Sequence, residues 1–163
     1  MRSVIFMCAH SNDGAMGIVV NKLVEKPSMS DVLGQLGIAG NGFRGAHVHF
    51  GGPVEGARGF VLHSTDYSED STLMVGGQVG LTATTEILRA IGRGDGPKRN
   101  LLALGYAGWG PGQLDTEIQA NGWLHVAADN DLIFDHGAED KWRRAIGKLG
   151  IDPSALSGDA GHA

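Results

Sequence analysis

Cysteine is nearly absent from this sequence: Cys8 is the single one in 163 residues. An internal disulfide framework is therefore excluded. Long apolar runs are missing too. No stretch approaches the ~18 consecutive apolar residues of a membrane-spanning helix, so no membrane partner is expected. Met1-Arg2-Ser3 leads straight into a mixed apolar strand with no small-residue cleavage site, so no export signal is read there, and a reducing cytoplasm is the expected compartment. Positive charge is in deficit. Thirteen Lys and Arg against eighteen Asp and Glu leave a formal net charge of -5. Phosphate contact needs basic surface, so nucleic acid is a disfavoured partner.

The familiar catalytic signatures are lacking as well. No Walker loop, Gly-x-Ser-x-Gly elbow, His-Glu-x-x-His helix or Cys-x-x-Cys pair occurs. Asp129, Asp131 and Asp135 lack the glycine and terminal glutamate of a calcium loop. Several Ser, Asp and His are present, but no spacing assembles a triad. The chain is read as leaning away from enzymes, with no catalytic residue, no metal and no cofactor assigned.

What the chain has in excess is glycine, 27 residues set in pairs and short motifs between apolar runs. Glycine there permits positive φ and close backbone approach. Tight turns, rather than flexible linkers, are expected. With 42% hydrophobic and 19% charged residues the chain suits one folded domain with one core.

Apolar periodicity places the elements. Arg2–His10 is apolar on both faces and reads as a central strand, joined through Ser11-Asn12-Asp13-Gly14 to a second strand over Met16–Asn21. Ser28 with Asp31 three residues on reads as a capping box for a helix near 29–36, stopped by Gly37. His47–Phe50, Gly59–His63 and Ser71–Val75 read as short strands. Thr82 reads as the cap of a helix near 83–91 ending at Gly92. Leu101–Leu104 reads as a buried strand. Pro111 suits the first turn of a further helix closed by Asn121-Gly122. Trp123–Ala127 and Leu132–Phe134 read as strands, and a last helix spans about 138–149. Strands and helices do not alternate regularly, which indicates an α+β domain over residues 1–163 with a loose tail at 152–163.

Three groups of residues are candidates for chemistry. His47 and His49 share a strand face, and His63, Asp66 or Cys8 would have to complete a metal site; hydrogen-bonded strand histidines are the plainer reading. Cys8, between two apolar faces, reads as a buried thiol rather than a nucleophile. The stretch from Gly105 to Gln113 reads as a glycine-rich loop between strand and helix, able to offer backbone N–H groups to an anion. Its alternative is a tight turn with Trp109 packed as a lid. Eight of the thirteen Lys and Arg fall in two segments: Arg89, Arg93, Lys98 and Arg99, then Lys141, Arg143, Arg144 and Lys148. A solvated helix face with acidic partners is the favoured reading of both.

Several blocks together carry a family likeness: Asp13-Gly14-Ala15-Met16-Gly17, His49-Phe50-Gly51-Gly52-Pro53-Val54, Arg58-Gly59-Phe60-Val61-Leu62-His63 and Leu104-Gly105-Tyr106-Ala107-Gly108-Trp109-Gly110-Pro111-Gly112-Gln113-Leu114. The chain resembles the bacterial YqgE/AlgH family along nearly its whole length. The resemblance implies a compact α+β fold with a bifurcated or barrel-like, mostly antiparallel sheet wrapped by helices. It carries over no catalytic residues, and only an indirect label of transcriptional regulator for some members. It also implies a further apolar strand ahead of Arg2-Ser3-Val4; without that strand a sheet edge is exposed. The expectation is a non-enzymatic binding or regulatory protein with an unidentified ligand or protein partner and no assigned oligomeric state. Its site is placed at Gly51, Gly52, Arg58, Tyr106, Gly108, Trp109 and Gln113. Arg58 would hold an anionic group, the amides of 105–113 would assist, and Trp109 would cover it. An enzyme of unknown type, such as a hydrolase using the histidines, and a nucleic-acid-binding regulator are the alternatives.

Overall fold

A computed structural model describes residues 2–43, 45–135 and 137–150. Its organising element is β7 (Asn100–Trp109), ten residues long and flanked on both edges. One edge pairs antiparallel with β4 (Val54–His63). The other edge has two partners in succession. β3 (Val48–Phe50) runs parallel to Leu102–Leu104, and β2 (Gly14–Val19) runs antiparallel to Ala107–Trp109. β7 is thus where the sheet forks. β1 (Ile5–Ser11), β5 (Leu73–Val75) and β6 (Val79–Thr82) complete the seven-stranded sheet, whose main path runs β1-β2-β7-β4-β6-β5 with β3 joined to β7 off that path. The result is a nearly closed, barrel-like, mostly antiparallel sheet in one compact α+β domain, as the resemblance implies.

The fork is built from glycine backbone. Gly105 has φ +76, at the residue where β7 changes partner. A Cβ there would lie 2.3 Å from the Gly52 carbonyl oxygen, one on Gly51 2.3 Å from the Gly105 oxygen, and one on Gly52 2.0 Å from the Tyr106 carbonyl carbon. The main chains meet where a side chain would stand. Gly51 then bridges the fork: its N–H donates to the Leu104 carbonyl and its carbonyl accepts from Val19 N–H, both at 2.8 Å.

Strand alternation sorts the apolar side chains into two layers. Phe60, Leu62, Leu101 and Ala103 pack with Phe6, Ile18 and Val20 inside the curled sheet. Val61 and Leu102 face outward under two helices, α1 (Met29–Leu36) and α2 (Thr85–Arg93), through Leu33, Ile87 and Ile91. α1 has the expected capping box: Ser28 Oγ accepts from Asp31 N–H, and the Asp31 carboxylate accepts from Ser28 N–H. α3 (Gln113–Gln119) and α4 (Ala138–Lys148) flank the open side of the sheet.

Five readings of the sequence are corrected. β1 is an edge strand, not a central one, among the described residues. The stretch Gly105–Trp109 is strand rather than loop, because ladder pairing on both sides outweighs the low strand propensity of glycine. Thr84, not Thr82, caps α2; Thr82 lies inside β6, and the helix runs on to a left-handed Gly94. Pro111 precedes α3 rather than entering it. Trp123–Ala127 is irregular, and Leu132–Phe134 lies in a π-helical turn over Asp131–Asp135, capped by Asp129 Oδ1 accepting from Leu132 N–H. The tail at 152–163 lies outside the described residues.

Lys141 of α4 is 2% exposed, and its ammonium donates to the Val20 carbonyl at 2.8 Å. Among the described residues no acidic group pairs with it, and burial pulls its pKa down from 10.5 to about 8. The folded state therefore releases this proton earlier than the unfolded chain. Stability should rise as pH climbs from about 8 to about 10.5, by at most about 3 kcal/mol at ~1.4 kcal/mol per unit. Equilibrium unfolding across that range should show the rise in the native chain and its loss in Lys141→Met. A parallel pH dependence in both proteins would contradict the assignment.

Candidate functional site

The pairing of β4 with β7 brings four of the seven expected site residues together. Arg58 from β4 and Tyr106, Gly108 and Trp109 from β7 line one shallow concavity, closed at its far side by the hairpin tip at Ser11 and Asp13. β4 is irregular here: its register against β7 shifts between Val54 and Gly59, and Glu55 sits at φ +49. The bulge carries Arg58 out of the ladder, and its guanidinium lies 5.0 Å over the Phe60 ring. Tyr106 meets the same ring edge-on at 5.8 Å. The Glu55 carboxylate lies 3.7 Å from Arg58, both groups about half exposed, so this pair is weak and leaves the cation available.

The remaining three expected residues do other work. Gly51 and Gly52 are buried behind Tyr106 in the fork. Gln113 points along α3: its side-chain carbonyl accepts from Gly110 N–H at 3.0 Å, and its amide donates to Glu117 at 3.0 Å. The amides of 105–113 are therefore not a free anion cradle. Ala107, Gly108 and Trp109 lie in the β7 ladder, Gly110 N–H is bound to Gln113, and α3 has only seven residues.

Glu117 is the residue that sequence reasoning missed. One carboxylate oxygen accepts from the Trp109 indole N–H at 3.1 Å and the Trp123 indole N–H at 2.8 Å; the other accepts from Gln113. These bonds hold its pKa below the ordinary 4.5, the Trp123 bond foremost. The two indoles stand edge to face, 6.0 Å apart. The one sequence signal was the i, i+4 spacing of Gln113 and Glu117, which sets both over Trp109.

Trp109 has a second concavity on its other side. A cleft of about 250 Å³ runs beside β1, lined by Ser3–Met7, by Leu114 and Ile118 of α3, by residues 123–126 and by Ala145, Ile146 and Leu149 of α4. All three tryptophans of the chain, Trp109, Trp123 and Trp142, contribute to its wall.

His47, His49 and His63 stand apart from both concavities. His63 is fully buried with both ring nitrogens engaged: Nδ1 donates to the Ser64 carbonyl at 2.8 Å, and Nε2 accepts from the Thr82 hydroxyl at 2.7 Å. His47 is exposed, and His49 is half-buried with its pKa lowered to about 4, chiefly by burial. Among the described residues, no group of three His, Cys, Asp or Glu is placed to hold a metal. Cys8 is buried, its thiol pushed up to about 12 by desolvation. Much of the first basic segment is paired: Arg89 with Glu86, Arg93 with Asp95, and Arg99 with Asp131 and Asp135. Lys148 of the second pairs with Asp129. Among the described residues no helix is long and apolar enough to cross a membrane.

Known proteins resemble this chain in sequence and in fold. A family model described as AlgH-like matches residues 1–154. A UPF0301 protein of Rhodospirillum rubrum is 54% identical over 162 residues, covering 99% of this chain and 84% of the relative. A UPF0301 protein of Bradyrhizobium diazoefficiens is 53% identical over 174 residues, covering 99% and 80%. The solution structure of the AlgH protein from Pseudomonas aeruginosa superposes with a TM-score of 0.80 at 37% identity, over 99% of this chain and 86% of that one. A crystal structure of a Corynebacterium diphtheriae protein, at 18% identity and TM-score 0.69, shares the fold over 88% and 75%. The chain therefore belongs to the AlgH-like UPF0301 family.

Proposed function

We propose that the protein is a non-enzymatic binding protein of the cytoplasm, acting in regulation, and that its ligand seats in the concavity of Arg58, Tyr106, Gly108 and Trp109. The observation that carries this reading is the convergence of one available guanidinium and two half-buried aromatics around a strand residue without a side chain. Arg58 takes an anionic group of the ligand. Tyr106 and Trp109 take its apolar body, and Gly108 leaves the floor open. Asp13 and Glu55 rim the same concavity, which disfavours a bare, highly charged anion and favours an apolar body with a single carboxylate. The acidic partners of Arg89, Arg93, Arg99 and Lys148 support protein or small-molecule partners over nucleic acid.

Titration with benzoate, followed by the indole N–H resonance of Trp109, tests the site. Benzoate should shift that resonance and inorganic phosphate should not. Arg58→Ala should weaken benzoate about tenfold, the loss of one charge-assisted contact. No shift at Trp109, or equal affinity in Arg58→Ala, would overturn the reading.

The indole latch can be checked separately. Glu117→Ala removes the acceptor of two tryptophan N–H groups and should cost about 1 kcal/mol per bond. Trp109→Ala, at a half-exposed site, should cost less than the ~3 kcal/mol of a fully buried aromatic. Denaturant unfolding measures both. A larger loss for Trp109→Ala would make this residue core rather than site.

A further inference from the structure

Three charged side chains line the concavity between β4 and β7: Arg58, Glu55 and Asp13. Arg58 and Glu55 come from one bulge, where β4 shifts its register against β7 between Val54 and Gly59. Glu55 holds φ +49 there, a left-handed conformation uncommon for a residue with a side chain. Its carboxylate lies 3.7 Å from the guanidinium, beyond hydrogen-bond length, and both groups are about half exposed. Neither group saturates the other. Arg58 is steadied instead by the Phe60 ring, 5.0 Å below it. Asp13 closes the far side from the β1–β2 turn, its own N–H donating to Ser11 Oγ at 3.1 Å. A ligand carboxylate on Arg58 therefore enters beside two protein carboxylates. A simple monoanion leaves three negative groups around one guanidinium, and they repel. An amine without a carboxylate sets its ammonium beside the guanidinium, which repels it in turn. A ligand with one charge of each sign meets neither penalty.

We propose that this concavity binds a free α-amino acid with an apolar side chain, held as its zwitterion with the carboxylate on Arg58 and the ammonium on Glu55. The proposal rests on the reading of Arg58 as a carboxylate site and adds the second charge. An α-amino acid carries both charges on one carbon, which suits a cation and an anion standing 3.7 Å apart. A longer peptide separates its terminal charges and reaches only one of the two. Each ligand charge then meets its opposite in a charge-assisted hydrogen bond. The side chain lies over Gly108. A Cβ built there has a Tyr106 ring carbon at 3.5 Å and a Val54 methyl at 3.7 Å as its nearest neighbours, which are ordinary contact distances. The floor is thus open, and the groups beside it are apolar.

Titrating the Trp109 indole N–H resonance at neutral pH with L-phenylalanine, 3-phenylpropionate and 2-phenylethylamine separates the two charges. 3-Phenylpropionate lacks only the ammonium, and 2-phenylethylamine lacks only the carboxylate. L-Phenylalanine should bind at least about tenfold more tightly than either. Glu55→Gln keeps the length of an exposed side chain and removes its charge. It should weaken phenylalanine about tenfold and tighten 3-phenylpropionate, since a repelling group is gone. Opposite signs for the two ligands do not arise from a loss of structure. Either single-charge ligand binding as tightly as phenylalanine would overturn the proposal, as would a Glu55→Gln variant in which phenylalanine and 3-phenylpropionate fail to move in opposite directions. Silence of the resonance with all three ligands while benzoate still binds would overturn the zwitterion alone. Silence with benzoate as well would overturn the carboxylate site and the zwitterion together.

Discussion

The contact on which the structure depends is one between main chains. Gly51, Gly52 and Gly105 approach so closely that a methyl group on any of them would sit 2.0–2.3 Å from a backbone atom of the facing segment. Close approach lets a single peptide unit, that of Gly51, bond to β7 on one side and β2 on the other. It also lets β7 exchange β3 for β2 without ending. A sheet that forks in this way can curl around the Phe60–Leu101 layer and still present Val61 and Leu102 to the helices outside.

The same fork delivers the concave surfaces. Past Gly105 the strand continues as Tyr106–Trp109 and ends at Trp109, shortly before α3 begins at Gln113. Trp109 is then a wall shared by two concavities, polar and shallow toward Arg58, apolar and deeper toward β1. Glu117 holds that wall in place through the indole nitrogen and holds Trp123 with the same oxygen. His63 and Cys8 lie away from this wall, His63 bonded to Thr82 and Ser64 and Cys8 buried as a thiol.

Much of this was legible wherever the determinant is local. Ser28, Asp31 and Gly37 bound α1 by contacts within a few residues, and the apolar stripe of α4 needs no distant partner to be read. The readings that failed depended on distant neighbours. Gly105-Tyr106-Ala107-Gly108-Trp109 looks like a loop because glycine disfavours strands, yet β2 and β4 supply the ladder that overrides propensity. Arg2–His10 looks central because both faces are apolar, but among the described residues its outer edge meets a cleft instead of a strand. Residues 123–127 and 132–134 carry strand-like patterns, yet neither stretch pairs with a strand. Of the site, the convergence of Arg58 with Tyr106, Gly108 and Trp109 was expected, while the free amides were not found. Glu117 gave no signal of its own, since a glutamate on a short exposed helix is ordinary until two indoles point at it.

A comparison of Gly105→Ala with Gly108→Ala tests the governing constraint most directly. Gly105 combines φ +76 with a Cβ position 2.3 Å from the Gly52 oxygen, whereas the nearest atom to a Cβ on Gly108 is a Tyr106 ring carbon at 3.5 Å. Equilibrium unfolding should find Gly105→Ala destabilised by about 3 kcal/mol or more, with the Trp109 indole resonance displaced, and Gly108→Ala within about 1 kcal/mol of the native chain. Equal stability of the two variants would contradict an account in which backbone contact at the fork holds the sheet and the Trp109 wall in place.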